Sequence, residues 1–219
     1  FLGVINTIGL KDFIIFDLGG ASTEVTLVKN RHIVKAVSLP IGALTLTGTY
    51  QKGDEYTPKE LEKMTKAVKK TIKVHTWLQN IKLPRNIAKI DQRKLSYPIT
   101  KLHNYELPYH RFHEILEDVK GKSLEARKKI SGLSSDRADI IIAGLTIVDE
   151  LFNYVNTKTL VVGGCGLREG LFYDYYGEYY LGGNSIIDDI LVHSAENVLL
   201  GMTKHELVHA KYITKLATT

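Results

Sequence analysis

The chain of 219 residues holds a single cysteine, Cys165, so no internal disulfide can staple it. It has no apolar run near the ~18 residues a membrane-spanning helix requires, and it shows no secretory leader. The first absence excludes a disulfide scaffold, and together they give the expectation of a reducing cytoplasm. Internal repeats and low-complexity tracts are also missing, and 44% hydrophobic residues argue against disorder. What remains is enough apolar matter for one large domain or a domain and a half. The chain begins at Phe1 rather than methionine, and "YITKLATT" stops within a helical pattern, so the expectation is a piece of a longer protein.

Acidic residues are the scarcer sign. With 29 Lys and Arg against 24 Asp and Glu the net charge is +5 and the pI near 9.1, a mild lean toward anionic partners. The densest basic stretch is "KAVKKTIKVHTWLQNIKLPRNIAKIDQRKL". It reads either as a polyanion surface or as the solvated side of a helix, and the second is the commoner origin of such a pattern. Prolines are few, but Pro84, Pro98 and Pro108 crowd into residues 81 to 111, which therefore read as mostly loop.

Around that stretch the apolar periodicity alternates between types. "DFIIFD", "TEVTLVKN" and "HIVKAVSLP" are strand-like and joined by short turns, the second at Asn30-Arg31, so they predict a meander. In "TPKE", Thr57 can cap a helix, Pro58 suits its first position and Glu60 completes a capping box, after which Leu61, Met64, Val68 and Ile72 form one apolar face. "RFHEILEDV" and "RADIIIAGLTIVDELFNYV" predict further helices. "KTLVVGG" reads as a buried strand entering the glycine turn "GGCGLREG" and then a helix. The fold class is α/β with a mixed sheet and flanking helices.

The densest chemistry lies in "FDLGGASTEV". Asp17 falls at the carboxyl end of an apolar strand, the edge where ligand crevices form in α/β sheets. Gly19 and Gly20 lack Cβ atoms, so the backbone can bring its amides close to an anion, with Ala21 between them and the hydroxyls of Ser22 and Thr23. Asp17 and Glu24 repel a bare phosphate, but they can hold Mg²⁺ beside it or accept a proton from an attacking water. A decorated hairpin turn would explain the glycines but not both acids.

"VVGGCGLREG" repeats the layout of strand into glycine loop, and two such loops across a cleft would suit a phosphate-bearing ligand. Its candidates are Gly163, Gly164, Gly166 and Arg168, although Arg168 and Glu169 can equally pin the loop as an ion pair. Cys165 has no histidine near it in sequence and reads as a small packed side chain.

"FDLGGASTEVTLV", "SLPIGALTLTGTY", "RADIIIAGLTIVDEL" and "VVGGCGLREGLFYDY" together resemble, in order and spacing, the exopolyphosphatase and guanosine pentaphosphate phosphohydrolase family of the actin-like ATPase superfamily. The resemblance implies a ribonuclease H-like fold, with residues 1–182 as the second of two such domains and 183–219 as the start of a helical, HD-like region. It further implies release of terminal phosphate from polyphosphate or guanosine pentaphosphate with Mg²⁺ in the cytoplasm. Neither nucleic acid nor membrane is an expected partner, and a homodimer is one possible assembly. On this resemblance Asp17 holds metal or water, Gly19 to Thr23 form the phosphate loop, and Glu24 is a further catalytic carboxylate. The family's first domain and a catalytic glutamate ahead of a segment like "FLGVINTI" have no counterpart, so the chain by itself is expected to be inactive. A Gly-Gly-Thr turn before a segment like "RNIAKI" is also missing. "KLP" runs directly into Arg85, and the matching flanks favour an omitted loop over a deletion.

A rival signal is "HELVH", where His205, Glu206 and His209 have the spacing of a zinc peptidase, though no third ligand follows. The resemblance reads the same segment as a helix of the C-terminal region. His103, His110 and His113 read as surface or loop-packing residues. Two other functions stay open: an ATP-binding kinase or chaperone of the same superfamily, and a regulator that senses guanosine pentaphosphate without cleaving it.

Overall fold

The computed structural model describes residues 1–78, 102–199 and 203–217. These fall into two compact units, residues 10–164 and residues 1–9 with 165–219.

In the larger unit the meander forms as its alternation predicts. β1 (Phe13–Leu18), β2 (Thr23–Lys29) and β3 (His32–Leu39) make one antiparallel sheet in that order. Asn30 and Arg31 turn the second hairpin with φ of 47° and 65°, the left-handed pair that a tight two-residue turn demands. Ile14, Phe16, Val25, Leu27 and Leu39 face the core, whereas Ile33 and Val34 of β3 lie exposed. Two helices follow, α2 (Ala43–Tyr50) and α3 (Pro58–Lys73). The predicted capping box is present: the Glu60 N–H donates to Thr57 Oγ1 while the Glu60 carboxylate accepts from the Thr57 N–H at 2.7 Å. Met64, Val68 and Ile72 are buried, and Leu61 packs partly against them.

Most of the stretch that reads as loop, including the junction of Pro84 with Arg85, lies outside the described residues. Its end departs from the expectation. Glu106–Pro108 is a short strand, β4, and α4 (Tyr109–Lys120) begins directly after it. Pro108 breaks neither element, because at a strand end and helix start its missing N–H is not needed. A short helix α5 (Leu124–Lys128) leads on to α6 (Ile141–Val155). α6 starts later than Arg137 because Ser135–Arg137 forms a 3-10 turn and the Asp139 carboxylate accepts the Ile140 N–H at 2.9 Å. α6 is buried almost all round and packs against α2, α3 and α4, so its sequence is apolar on nearly every face. β5 (Thr159–Val161) then pairs antiparallel with β4.

In the smaller unit α1 (Leu2–Ile5) packs on α7 (Leu167–Tyr180), and α8 (Ile190–Leu199) and α9 (Lys204–Ala217) follow. The buried Asn6 ties the two sequence ends of this unit together. Its Nδ2 donates to the Ser185 carbonyl at 2.7 Å and its Oδ1 accepts the Ile187 N–H at 2.8 Å. No helix among the described residues is long and apolar enough to cross a membrane.

Removing the α3 cap should be felt by the larger unit, since α3 carries three of its buried side chains. Thr57→Ala should lower its stability by about 1 kcal/mol in urea unfolding. A variant with an unchanged midpoint and slope would show that the box contributes nothing.

Candidate active site

The first glycine turn is fixed by a docking that involves its carbonyls. The Gly19 N–H closes the turn on the Ser22 carbonyl at 2.9 Å. On the other side, Ala43 N–H donates to the Gly19 carbonyl at 3.0 Å, and the N–H groups of Leu44 and Thr45 donate to the Gly20 carbonyl at 2.9 and 3.0 Å. The first-turn donors of α2, which have no partner within their own helix, are thereby satisfied by the loop. A trans peptide sets each C=O opposite the following N–H. With the carbonyls of Gly19 and Gly20 turned toward α2, the N–H groups of Gly20 and Ala21 point away from it. Neither has an acceptor among the described residues. Two adjacent outward amides have the geometry of an anion-binding element.

Glycine is needed here for close approach and not for unusual dihedrals, since neither Gly19 nor Gly20 has a positive φ. The tightest contact is at Gly42, the residue before α2. A Cβ there would lie 2.4 Å from the carbonyl carbon and oxygen of Gly20. Gly42 lies inside "SLPIGALTL", where nothing local marks it; its role depends on a contact 22 positions away in the chain.

The two acids converge as expected of a hairpin end. Asp17 and Glu24 are direct partners across β1 and β2, both exposed on the same face. The Asp17 carboxylate has no hydrogen-bond or ion-pair partner among the described residues. Glu24 is held by two hydroxyls, Ser22 Oγ at 2.6 Å and Ser38 Oγ at 2.8 Å, which both donate to Oε1. These bonds, Ser22 first, hold the Glu24 carboxyl below its ordinary range. Ser38 is a site residue that sequence reasoning misses, although the β2–β3 register pairs it directly with Glu24. Thr23 differs from Ser22. It is fully buried and its hydroxyl donates to the Ile41 carbonyl at 2.6 Å, so its side chain anchors the loop while Ser22 stays near the acids.

Like charges directly opposite on a sheet repel, so this pair weakens the hairpin unless a cation lies between the carboxylates. Mg²⁺ takes one or two carboxylates together with phosphate oxygens, so the paired acids could supply its carboxylate ligands while the two outward amides face the phosphate.

The second glycine turn divides between the units. Gly163 and Gly164 follow β5 in the larger one, and the Gly164 N–H donates to His103 Nδ1 at 2.9 Å. A Cβ on Gly164 would sit 2.7 Å from the His103 Cβ. The packing role read for His103 is thus specific: it seats this turn. Gly166 and Arg168 belong to the start of α7 in the smaller unit, where the Gly166 N–H donates to Glu169 Oε2 at 2.7 Å as a helix cap. Arg168 is exposed, and Cys165 is partly buried.

The "HELVH" segment lies on α9. Glu206 accepts from the Thr203 N–H and hydroxyl, both at 2.8 Å, which lowers its pKa and makes it the cap of that helix. His209 is exposed, and the His205 side chain lies outside the described residues. Among the described residues no group of three or more His, Cys, Asp and Glu side chains could hold a metal ion.

The Ppx/GppA phosphatase family model matches residues 1–178. The chain is similar to a guanosine-5'-triphosphate,3'-diphosphate pyrophosphatase of Pseudoalteromonas translucida, at 26% identity over 76% of this chain and 34% of that protein. It is also similar to exopolyphosphatase 2 of Mycobacterium tuberculosis, at 24% identity over 69% of this chain and 51% of that protein. Among solved structures, the Aquifex aeolicus member of the Ppx/GppA family superposes with a TM-score of 0.71 at 26% identity, over 82% of this chain and 61% of that one. An exopolyphosphatase of Cytophaga hutchinsonii gives 0.72 at 19% identity, over 81% and 61%. The fold is therefore the ribonuclease H-like α/β fold of the actin-like ATPases. The chain spans about half or less of the curated relatives it matches.

Two measurements check this geometry. Gly42→Ala should destabilise the larger unit by about 1 to 3 kcal/mol, because the added methyl overlaps backbone that cannot yield as a side chain would; unchanged stability would mean that the loop is not docked on α2. Ser38→Ala should raise the Glu24 pKa toward its ordinary value in an NMR titration of the carboxyl. Because the folded pKa is depressed, the Glu24 hydrogen bonds stabilise the fold above the ordinary carboxylate range, and that contribution is lost as pH falls through the lowered value. An unmoved Glu24 titration would remove Ser38 from the site.

Proposed function

The chain belongs to the Ppx/GppA phosphatase family, and on that premise we propose that it forms one wall of a phosphohydrolase site releasing terminal phosphate from polyphosphate or guanosine pentaphosphate. The observation that carries this reading is the exposed Asp17–Glu24 pair set beside the outward amides of Gly20 and Ala21. An unneutralised acid pair weakens a hairpin end, which is reason to expect that it serves a ligand.

In this reading the Gly20 and Ala21 amides receive a phosphate oxygen. Glu24, whose pKa its two serine donors lower, holds and orients rather than accepts a proton, since a depressed pKa makes a weak base. Asp17, without such donors, is the better placed of the two to position the attacking water. Mg²⁺, held by both carboxylates and the substrate, would neutralise the charge of the transferring phosphoryl group. Such transfer depends mainly on positioning and charge stabilisation from both sides of the phosphorus. One wall is insufficient for that, so the opposing wall belongs to a segment of the whole protein that this chain does not contain. The same donor set would serve ATP in a kinase or chaperone of the superfamily, which makes ATP the necessary comparison.

With Mg²⁺ present, the complete protein should release phosphate from polyphosphate, from guanosine pentaphosphate or from both, and the 219-residue chain should release none. Glu24→Gln and Asp17→Asn in the complete protein should each lower turnover by about 10² to 10⁴. Steady turnover by the 219-residue chain would place both walls within it. Hydrolysis of ATP alone would shift the assignment to the kinase or chaperone class.

A further inference from the structure

We infer that the outer face of α3 is a second anion site, a lysine track that takes a linear polyphosphate chain and shares no residue with the hairpin site. The helix carries six lysines against two glutamates in sixteen residues. That local excess of four positive charges compares with +5 for the whole chain. Since Met64, Val68 and Ile72 fix the buried face, Lys63, Lys66, Lys70 and Lys73 run along the opposite stripe at helical spacings of three and four, all exposed. Like charges at those spacings destabilise a helix, so the row carries a cost that solvent exposure alone does not explain.

The helix C-terminus favours Lys70 and Lys73 in its last turn, but few carboxylates pair with the row. Glu60 is used by the Thr57 cap, Glu62 pairs with Lys66 at 2.6 Å, and the buried Glu150 of α6 lies 3.4 Å from Lys69. Lys63, Lys70 and Lys73 have no carboxylate partner among the described residues. Lys66, Lys70 and Lys73 of this stripe, with Lys69 and Val74, line a shallow, open depression, and Lys63 lies outside it.

The side chains present select the ligand class. α3 has no arginine, whose planar fork reads individual phosphates, and no aromatic on its outer face on which a base could stack. The nearest ring, Trp77, is half-buried, with Lys35 Nζ 5.5 Å from its centroid. A row of point charges without stacking platforms suits a polyanion that has charge and no bases. The choice of polyphosphate rests on the hydrolase reading, but its binding here requires no hydrolysis.

The test is a titration of the 219-residue chain with fluorescently labelled long-chain polyphosphate across a range of salt concentrations. Combined Lys63→Gln, Lys70→Gln and Lys73→Gln should weaken binding about 10- to 100-fold at low salt and flatten the log–log salt slope by about 2, at about 0.7 per lost contact. A control with Lys11, Lys29 and Lys158 changed to Gln loses the same charge elsewhere and should bind as the parent does. Lys63→Gln alone, which lies outside the last turn of α3, should flatten the slope by about 0.7 even if the triple variant is unstable. No polyphosphate binding by the parent, equal losses in the control, or equally tight binding of single-stranded DNA lost in the same variants would each overturn the track. Phosphate release from tripolyphosphate by the complete protein tests the hydrolase reading separately. Its absence, with the track still binding, would fail that reading and leave this one standing.

Discussion

The carbonyls of Gly19 and Gly20 lie against the first turn of α2, and the candidate site depends on that contact. The same three hydrogen bonds satisfy the helix donors, fix the orientation of two successive peptide planes, and thereby set the Gly20 and Ala21 amides outward. Gly42 is a condition of the arrangement, because any side chain there would occupy the space of the Gly20 peptide. The buried Thr23 hydroxyl on the Ile41 carbonyl holds the far end of the turn, so the loop is constrained on both sides.

This support reaches into the core through α2 and α6. α2 packs on α6, which also packs on α3 and α4, so one apolar helix is the common partner of the elements behind the loop. The burial of α6 on nearly every face makes its position rigid, as close-packed interiors are. A site on a short loop gains precision when its backing cannot move. The acids gain it too, because register across β1, β2 and β3 lines up Asp17, Glu24 and Ser38 without needing any long side chain.

Charge in the larger unit is sorted by sign. Carboxylates gather at the hairpin end, where an anion could approach only with a cation between, whereas lysines gather along the outside of α3. The first arrangement suits chemistry on a phosphate and the second suits long-range attraction, and both weaken the bare protein through like-charge repulsion.

Much of this was legible in residues close together in sequence. The meander, the Asn30-Arg31 turn, the Thr57 capping box and the buried face of α3 follow from alternation, turn chemistry and capping, which are all local. Asp17 opposite Glu24 was also legible, since a short turn between two strands forces its flanking residues to pair. β4 was hidden by the proline rule, because Pro108 occupies the one kind of position where the rule does not apply. Gly42, Ser38 and His103 were not legible as site residues for a common reason: each acts through a partner distant in the chain, at Gly20, Glu24 and Gly164. The "HELVH" segment differs, because Glu206 binds Thr203 only three residues away, a local T-x-x-E capping pattern that overlaps the peptidase spacing. Sequence by itself determined which segments pair and which residue types could bind phosphate; tertiary structure decided which of their donors remain outward, because that depends on which ones the rest of the fold has already used.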